Sequence, residues 1–185
     1  MDRSIHLKTP LTASDVAALR AGDRVILSGV LYTARDAAHR RLIDLIEAKE
    51  PLPIPLAGQV LYYVGPSPAP PGRPIGAAGP TTSYRMDPYT PQLLEKGLKG
   101  IIGKGKRSEA VKQALMTYGA VYFAAIGGAG ALMSQSIRKA TVVAYHDLGP
   151  EAIRELYVEG MPLVVVNDTE GNDLYEEGRK AYRIA

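Results

Sequence analysis

Arg24-Val25-Ile26-Leu27-Ser28-Gly29-Val30-Leu31 is followed closely by Arg35-Asp36-Ala37-Ala38-His39-Arg40-Arg41-Leu42-Ile43-Asp44-Leu45-Ile46-Glu47. The first stretch is rich in β-branched residues and reads as a strand. In the second, Ala38, Leu42, Leu45 and Ile46 fall at i, i+4, i+7 and i+8, which lines one face of a helix. Pro51, Pro53 and Pro55 close that helix, because proline has no N–H to continue it. A strand feeding an amphipathic helix is the repeating unit of a layered α/β domain.

Outward from this pair the alternation continues. Val60–Val64 reads as a short strand, and Pro66 to Pro74, with five prolines, as a rigid loop. Thr90-Pro91 predicts a helix start and Gly97 its end. Ile101-Ile102 predicts a strand, Ser108 the cap of a helix over Glu109–Tyr118, and Gly119 its close. Ala120–Ile126 reads as a buried strand, Ala131–Lys139 as a helix, and Thr141–Tyr145 and Leu163–Val166 as strands. Leu156–Val166, broken by Gly160 and Pro162, would add a strand pair, and Asp173–Tyr182 a closing helix. The expectation is one α/β domain over residues 1–185 with a mainly parallel portion.

Composition narrows the chemistry. The 185 residues are 46% hydrophobic, with 22 Lys+Arg against 19 Asp+Glu. A chain of this size buries roughly 70% of its unfolded surface, and balanced charge with ordinary apolar content excludes disorder. No run of about 18 apolar residues occurs, so no membrane-spanning helix is expected. Met1-Asp2-Arg3-Ser4 leads into no apolar stretch of secretory type, so a cytoplasmic setting is expected. The net charge of +3 is spread without a dense basic run interleaved with aromatics, so nucleic acid is not an expected partner. With no cysteine, the chain has no disulfide, no thiolate nucleophile and no self-ligated iron–sulfur cluster. His6, His39 and His146 are too scattered for a metal site by spacing, and none is expected in this chain.

Four stretches carry polar groups where a ligand would meet them. Ile126-Gly127-Gly128-Ala129-Gly130-Ala131-Leu132 resembles a dinucleotide-binding turn, but Met133 occupies the third glycine position. Asp147, about 20 residues on, sits in a poor context for a ribose clamp. Tight strand–helix packing is the competing reading. Gly103-Lys104-Gly105-Lys106-Arg107-Ser108 is cationic but lacks P-loop spacing; Lys104 between two glycines fits either close ligand approach or a solvated turn. Arg35 and His39 lie four apart at a helix start, and Arg35 read alone is a surface arginine beside Asp36. In Gly76-Ala77-Ala78-Gly79-Pro80-Thr81-Thr82-Ser83-Tyr84-Arg85-Met86-Asp87-Pro88-Tyr89-Thr90-Pro91 the prolines favour extended Gly79, Asp87 and Thr90. Such a rigid loop fixes two hydroxyls, an arginine and a carboxylate, an anion site with hydroxyls.

Gly79-Pro80-Thr81-Thr82-Ser83-Tyr84-Arg85-Met86-Asp87 closely resembles the signature of the class I, iron–sulfur fumarate hydratases. Gly103-Lys104-Gly105 is similar to that family's lysine turn. Arg35-Asp36-Ala37-Ala38-His39, Ala124-Ala125-Ile126-Gly127-Gly128-Ala129 and Asp147-Leu148-Gly149-Pro150-Glu151-Ala152 resemble further blocks. The matches run in order from about Ile5 to Tyr175, and they are to the C-terminal domain, which in some members is a separate β subunit.

The resemblance implies a swivelling β/β/α domain and the reversible hydration of fumarate to malate, a reaction of the tricarboxylic acid cycle. It implies a [4Fe–4S] cluster acting as a Lewis acid, held by three cysteines of a partner α subunit, in a dimer of αβ heterodimers. It implies that Arg35, Arg85 and Lys104 bind a small dicarboxylate. Thr81 would be the general base, and Thr82 would hydrogen-bond substrate. His39 and Asp87 would orient the others, with Arg35 supplying the field that makes Thr81 basic. Related tartrate dehydratase and mesaconate hydratase subunits share the Gly-Pro-Thr-Thr core, and Asp87-Pro88-Tyr89 is closer to the fumarase form. A nucleotide-binding protein and a non-catalytic assembly module are the readings of other classes.

Overall fold

The computed structural model describes residues 4–183. Among the described residues, seven strands and six helices follow one another in mixed α/β order. In chain order they are β1 (Ile5–Lys8), α1 (Ala13–Ala17), β2 (Arg24–Thr33), α2 (Asp36–Glu47), β3 (Val60–Tyr62), α3 (Thr90–Glu95) and β4 (Gly100–Gly103). There follow α4 (Glu109–Tyr118), β5 (Val121–Ala124), α5 (Gly130–Gln135), β6 (Ile137–Ala144), β7 (Ile153–Asn167) and α6 (Leu174–Tyr182). Two 3₁₀ turns, Ser83–Met86 and His146–Glu151, complete the set. No helix among the described residues is long and apolar enough to cross a membrane.

Parallel pairing runs β1–β2–β3–β4–β5, as the strand–helix alternation predicts. β7 then runs antiparallel to β5 and also to β2 over Arg24–Tyr32, so β2, β3, β4, β5 and β7 close on themselves. β6 adds to the outer edge of β7. The period-2 alternation of side chains splits the apolar residues into two cores. Val60, Tyr62, Ile102, Val121 and Phe123 face the enclosed interior with Leu156, Val158 and Val165 of β7. Leu61, Tyr63, Ile101 and Tyr122 face outward, under Leu42 of α2, Leu93 of α3 and Leu115 of α4.

Several expected boundaries shift. The helix expected over Ala131–Lys139 stops at Gln135, and Ile137 opens β6, since pairing with β7 satisfies the backbone that a longer helix would claim. The strand expected over Thr141–Tyr145 is the second half of β6. Leu156–Val166 lies within one 15-residue strand, Ile153–Asn167, which runs through Gly160 and Pro162 rather than forming a pair. In α2 the buried positions are Ala38, His39, Leu42 and Ile43, while Leu45 and Ile46 are half-buried, because the sheet covers the start of the helix and not its end. Tyr89, not Thr90, is the cap of α3. Asp87 is right-handed helical although Pro88 follows it, a conformation that its tertiary hydrogen bonds stabilise against the local preference. Ser108 and Gly119 bound α4 as expected, Ser108 accepting from the Val111 N–H and Gly119 left-handed.

Candidate active site

The four polar stretches lie beyond the carboxyl ends of the parallel strands β2, β3, β4 and β5. β2 delivers Arg35, the N-cap of α2. β4 delivers Lys104. Thr81 lies just past β3, its N–H donating to the Tyr63 carbonyl at 2.7 Å. Thr82 forms a parallel bridge with Lys104, and the Ser83 N–H donates to the Lys104 carbonyl at 2.9 Å. The two loops are therefore stitched together by backbone, which puts the threonines and the lysine turn side by side.

The 3₁₀ turn Ser83–Met86 carries Arg85 back over Thr81. Arg85 Nη2 donates to Thr81 Oγ1 at 2.8 Å and lies 3.4 Å from Asp36 Oδ2. Arg35 Nη2 lies 3.4 Å from that same Asp36 oxygen and from Glu151 Oε1. Glu151 Oε2 accepts from the Ala37 N–H at 3.1 Å, satisfying a donor at the α2 N-terminus that Arg35 does not cap. The Arg35 side chain lies against Gly65, where a Cβ would meet Nη1 at 2.8 Å, so a larger residue there would shift the arginine. Lys104 and Arg85 are exposed; Thr81 and Thr82 are half-buried. One carboxylate, Asp36, thus links Arg35 to Arg85, and it is Arg85, not Arg35, that contacts the Thr81 hydroxyl.

His39 is fully buried one turn below Arg35. Its Nδ1 lies 2.8 Å from the Arg35 carbonyl oxygen, which can only accept, so Nδ1 carries the proton and Nε2 is left buried without a partner. The ring stands edge-on to Tyr63, centroids 4.9 Å apart. Burial pushes its pKa down to about 4, with the charge of Arg107 acting in the same direction and the Arg35 carbonyl opposing. It is a neutral prop under the arginine.

Asp87 points away from the threonines. Its Oδ1 accepts from Arg107 Nε at 2.8 Å and its Oδ2 from the Ser108 N–H at 2.6 Å, so its charge lies at the N-terminus of α4. The Arg107 side chain is fully buried, donates to Thr90 Oγ1 at 2.9 Å and lies over the rings of Tyr63 and Tyr122 at 5.4 and 5.0 Å. Burial raises the pKa of both phenols, so both stay protonated, Tyr122 donating to the Gly105 carbonyl at 2.9 Å. Asp87 and Arg107 clamp the Thr81 loop to the Lys104 loop. Sequence reasoning missed Arg107, Glu151 and the bridging role of Asp36, because opposite charges so far apart along the chain leave no local signature.

The glycine turn before α5 packs rather than cradles. A Cβ on Gly130 would meet the Gly79 nitrogen at 2.9 Å, and the Ala78 N–H donates to the Gly130 carbonyl at 3.0 Å. Gly127 lies beside the Lys104 side chain. Asp147, the candidate ribose clamp, is instead paired with Arg41 at 2.9 Å.

Fold and site together define a mixed α/β domain that presents arginine, lysine and threonine side chains at the carboxyl edge of its parallel strands. The chain belongs to the family described as Fumarase C-terminus, whose model matches residues 1–178. It is 40% identical to the anaerobic class I fumarate hydratase of Escherichia coli over 156 residues, 83% of this chain and 28% of that protein. Against fumarate hydratase 1, mitochondrial, of Leishmania major the identity is 39% over 156 residues, again 83% and 28%. A putative L(+)-tartrate dehydratase subunit beta from Methanocaldococcus jannaschii is 38% identical over 176 residues, 92% of this chain and 90% of that one. The chain therefore spans about a third or less of the fumarate hydratases it matches, and nearly all of the tartrate dehydratase subunit.

Proposed function

We propose that this chain is the β subunit of a two-subunit fumarate hydratase, a swivelling three-layer β/β/α domain that binds a four-carbon dicarboxylate and moves one of its protons. The observation that carries the reading is the Thr81 hydroxyl held 2.8 Å from Arg85 Nη2, with Arg35 across Asp36 and the Lys104 backbone bridged to Thr82. A guanidinium donating to an oxygen favours its anionic form, which a threonine needs before it acts as a base. Thr81 Oγ takes the proton from the carbon next to a carboxylate in the malate-to-fumarate direction and returns it on hydration. Arg35 and Arg85 match planar carboxylates with their forks, Lys104 adds a point charge, and Thr82 supplies a further hydroxyl. His39 and Asp87 position these groups without touching substrate.

This chain offers a cluster no thiolate ligand. It has no cysteine, and among the described residues no group of histidines and carboxylates is arranged to hold a metal. A [4Fe–4S] cluster would sit on a partner α subunit, and departure of the hydroxyl belongs to that half. Side chains near the cationic cluster support a partner there: Tyr84 is 64% exposed, Ile126 60% and Leu132 50%. These are apolar groups that water covers poorly, beside the lysine and glycine turns. The assembly would be a dimer of αβ heterodimers in the cytoplasm.

The test is the complex reconstituted anaerobically with a cluster-bearing α subunit. It should dehydrate malate, and Thr81→Ala should lower kcat by about 10²- to 10⁴-fold with little change in KM, the usual worth of a general base. Near-normal turnover would move the base elsewhere. The near full-length match to a tartrate dehydratase subunit supports a second reading with the same chemistry. Malate, citramalate and tartrate assayed side by side decide between them: faster dehydration of tartrate than malate would replace the fumarase assignment and keep the hydro-lyase one.

A further inference from the structure

We propose that Asp36 is a built-in counter-carboxylate, the group that an incoming dicarboxylate displaces from Arg35 and Arg85, and that it thereby sets the affinity of the site. The proposal deepens the hydro-lyase reading and rests on it for the nature of the dianion. A single oxygen, Asp36 Oδ2, lies 3.4 Å from Arg35 Nη2 and 3.4 Å from Arg85 Nη2. It thus stands between the two guanidinium groups that would receive a substrate carboxylate.

Three features mark Asp36 as replaceable where its neighbours are not. Its contacts are long beside the roughly 2.7–2.9 Å of a strong charge-assisted hydrogen bond. Neither arginine is engaged by it through both arms of its fork, and Arg35 Nε is buried with no acceptor at all. The Asp36 and Arg85 side chains are 36% and 38% exposed, so the pair is of the solvated kind that contributes little. Glu151 and Asp87, by contrast, each accept a backbone N–H at a helix start, from Ala37 and Ser108, which ties them to the fold. Among the described residues the Asp36 carboxylate accepts no backbone N–H, so it can swing away. Once it leaves, Arg85 turns its free arm to a ligand oxygen while keeping its bond to Thr81, and Arg35 offers its unpartnered Nε while Glu151 stays beside Nη2. A closed interface would strengthen that ligand pair well beyond the exposed one.

The test uses Asp36→Asn, which keeps shape and loses charge, with Asp36→Ser as a second variant. In the complex with the cluster-bearing subunit, KM for malate and the inhibition constant of succinate should fall by roughly 3- to 10-fold, a gain that shrinks in high salt. In parallel, the Nε–Hε signals of Arg35 and Arg85 in the full chain are titrated with succinate by NMR, where the variants should saturate earlier than the parent. Unchanged or weaker dicarboxylate binding by both variants in both measurements would overturn the proposal and make Asp36 a plain brace. A complex that turns over no dicarboxylate, with the arginine titration still tighter in the variants, would sink the hydro-lyase reading and leave the Asp36 assignment standing.

Discussion

Acidification should loosen this protein through a single buried imidazole. His39 is fully buried, and its pKa falls from 6.5 in the unfolded chain to about 4 in the fold, chiefly because burial disfavours the charged ring. A base that is harder to protonate when folded stabilises the fold where both states are neutral, above about pH 6.5. Below that the unfolded chain takes up a proton that the folded chain refuses, so stability falls until the folded pKa is reached. The difference of about 2.5 pK units corresponds to about 3 kcal/mol in full, most of it lost by about pH 4.5. The assay is urea unfolding at about pH 7.5 and about pH 4.5 for the parent and for His39→Phe. The variant keeps an aromatic ring against Tyr63 but removes the titration, while the carboxylates titrate alike in both. With a slope of about 2 kcal/mol/M, the parent should lose roughly 1 M more of its urea midpoint than the variant on acidification. Parallel losses in the two proteins would refute the reasoning, and would mean that water reaches the ring or that the buried Nε2 finds a partner on protonation.

Other outcomes follow from the same contacts. Asp87→Asn leaves the Arg107 guanidinium buried without its counter-charge, which should cost about 3–5 kcal/mol of unfolding free energy by urea titration. Gly130→Ala forces a methyl onto the Gly79 nitrogen and should cost about 1–3 kcal/mol, visible as a lower melting temperature, whereas Ala at the more open Gly127 should cost less. On the proposed function, Arg85→Ala should raise KM for malate in the complex by roughly 10- to 150-fold, the worth of a hydrogen bond to a charged group.

Local rules fixed a good deal of this molecule. Ser108 and Gly119 bound α4 as side-chain cap and left-handed stop, because both signals act within a few residues of where they stand. The alternation of strand and helix from β2 onward was legible for the same reason, as were the Thr81–Arg85 and Lys104 loops as sites of mixed polar groups. The end of α5 was not. Nothing in Ser136-Ile137-Arg138-Lys139 forbids helix, and only pairing with β7 makes it strand. Nor could sequence show that β7 returns to β2 and closes the sheet, which is a matter of contacts more than a hundred residues apart. The site divides along the same line. Which residues carry charge and hydroxyl is written in the chain, but that Asp36 bridges Arg35 to Arg85, that Arg107 lies buried against Asp87, and that Arg85 rather than Arg35 reaches Thr81 depends on three loops meeting at one edge. Electrostatic partnership falls off over a few ångströms of space and is blind to distance along the chain, so the tertiary structure alone decided it.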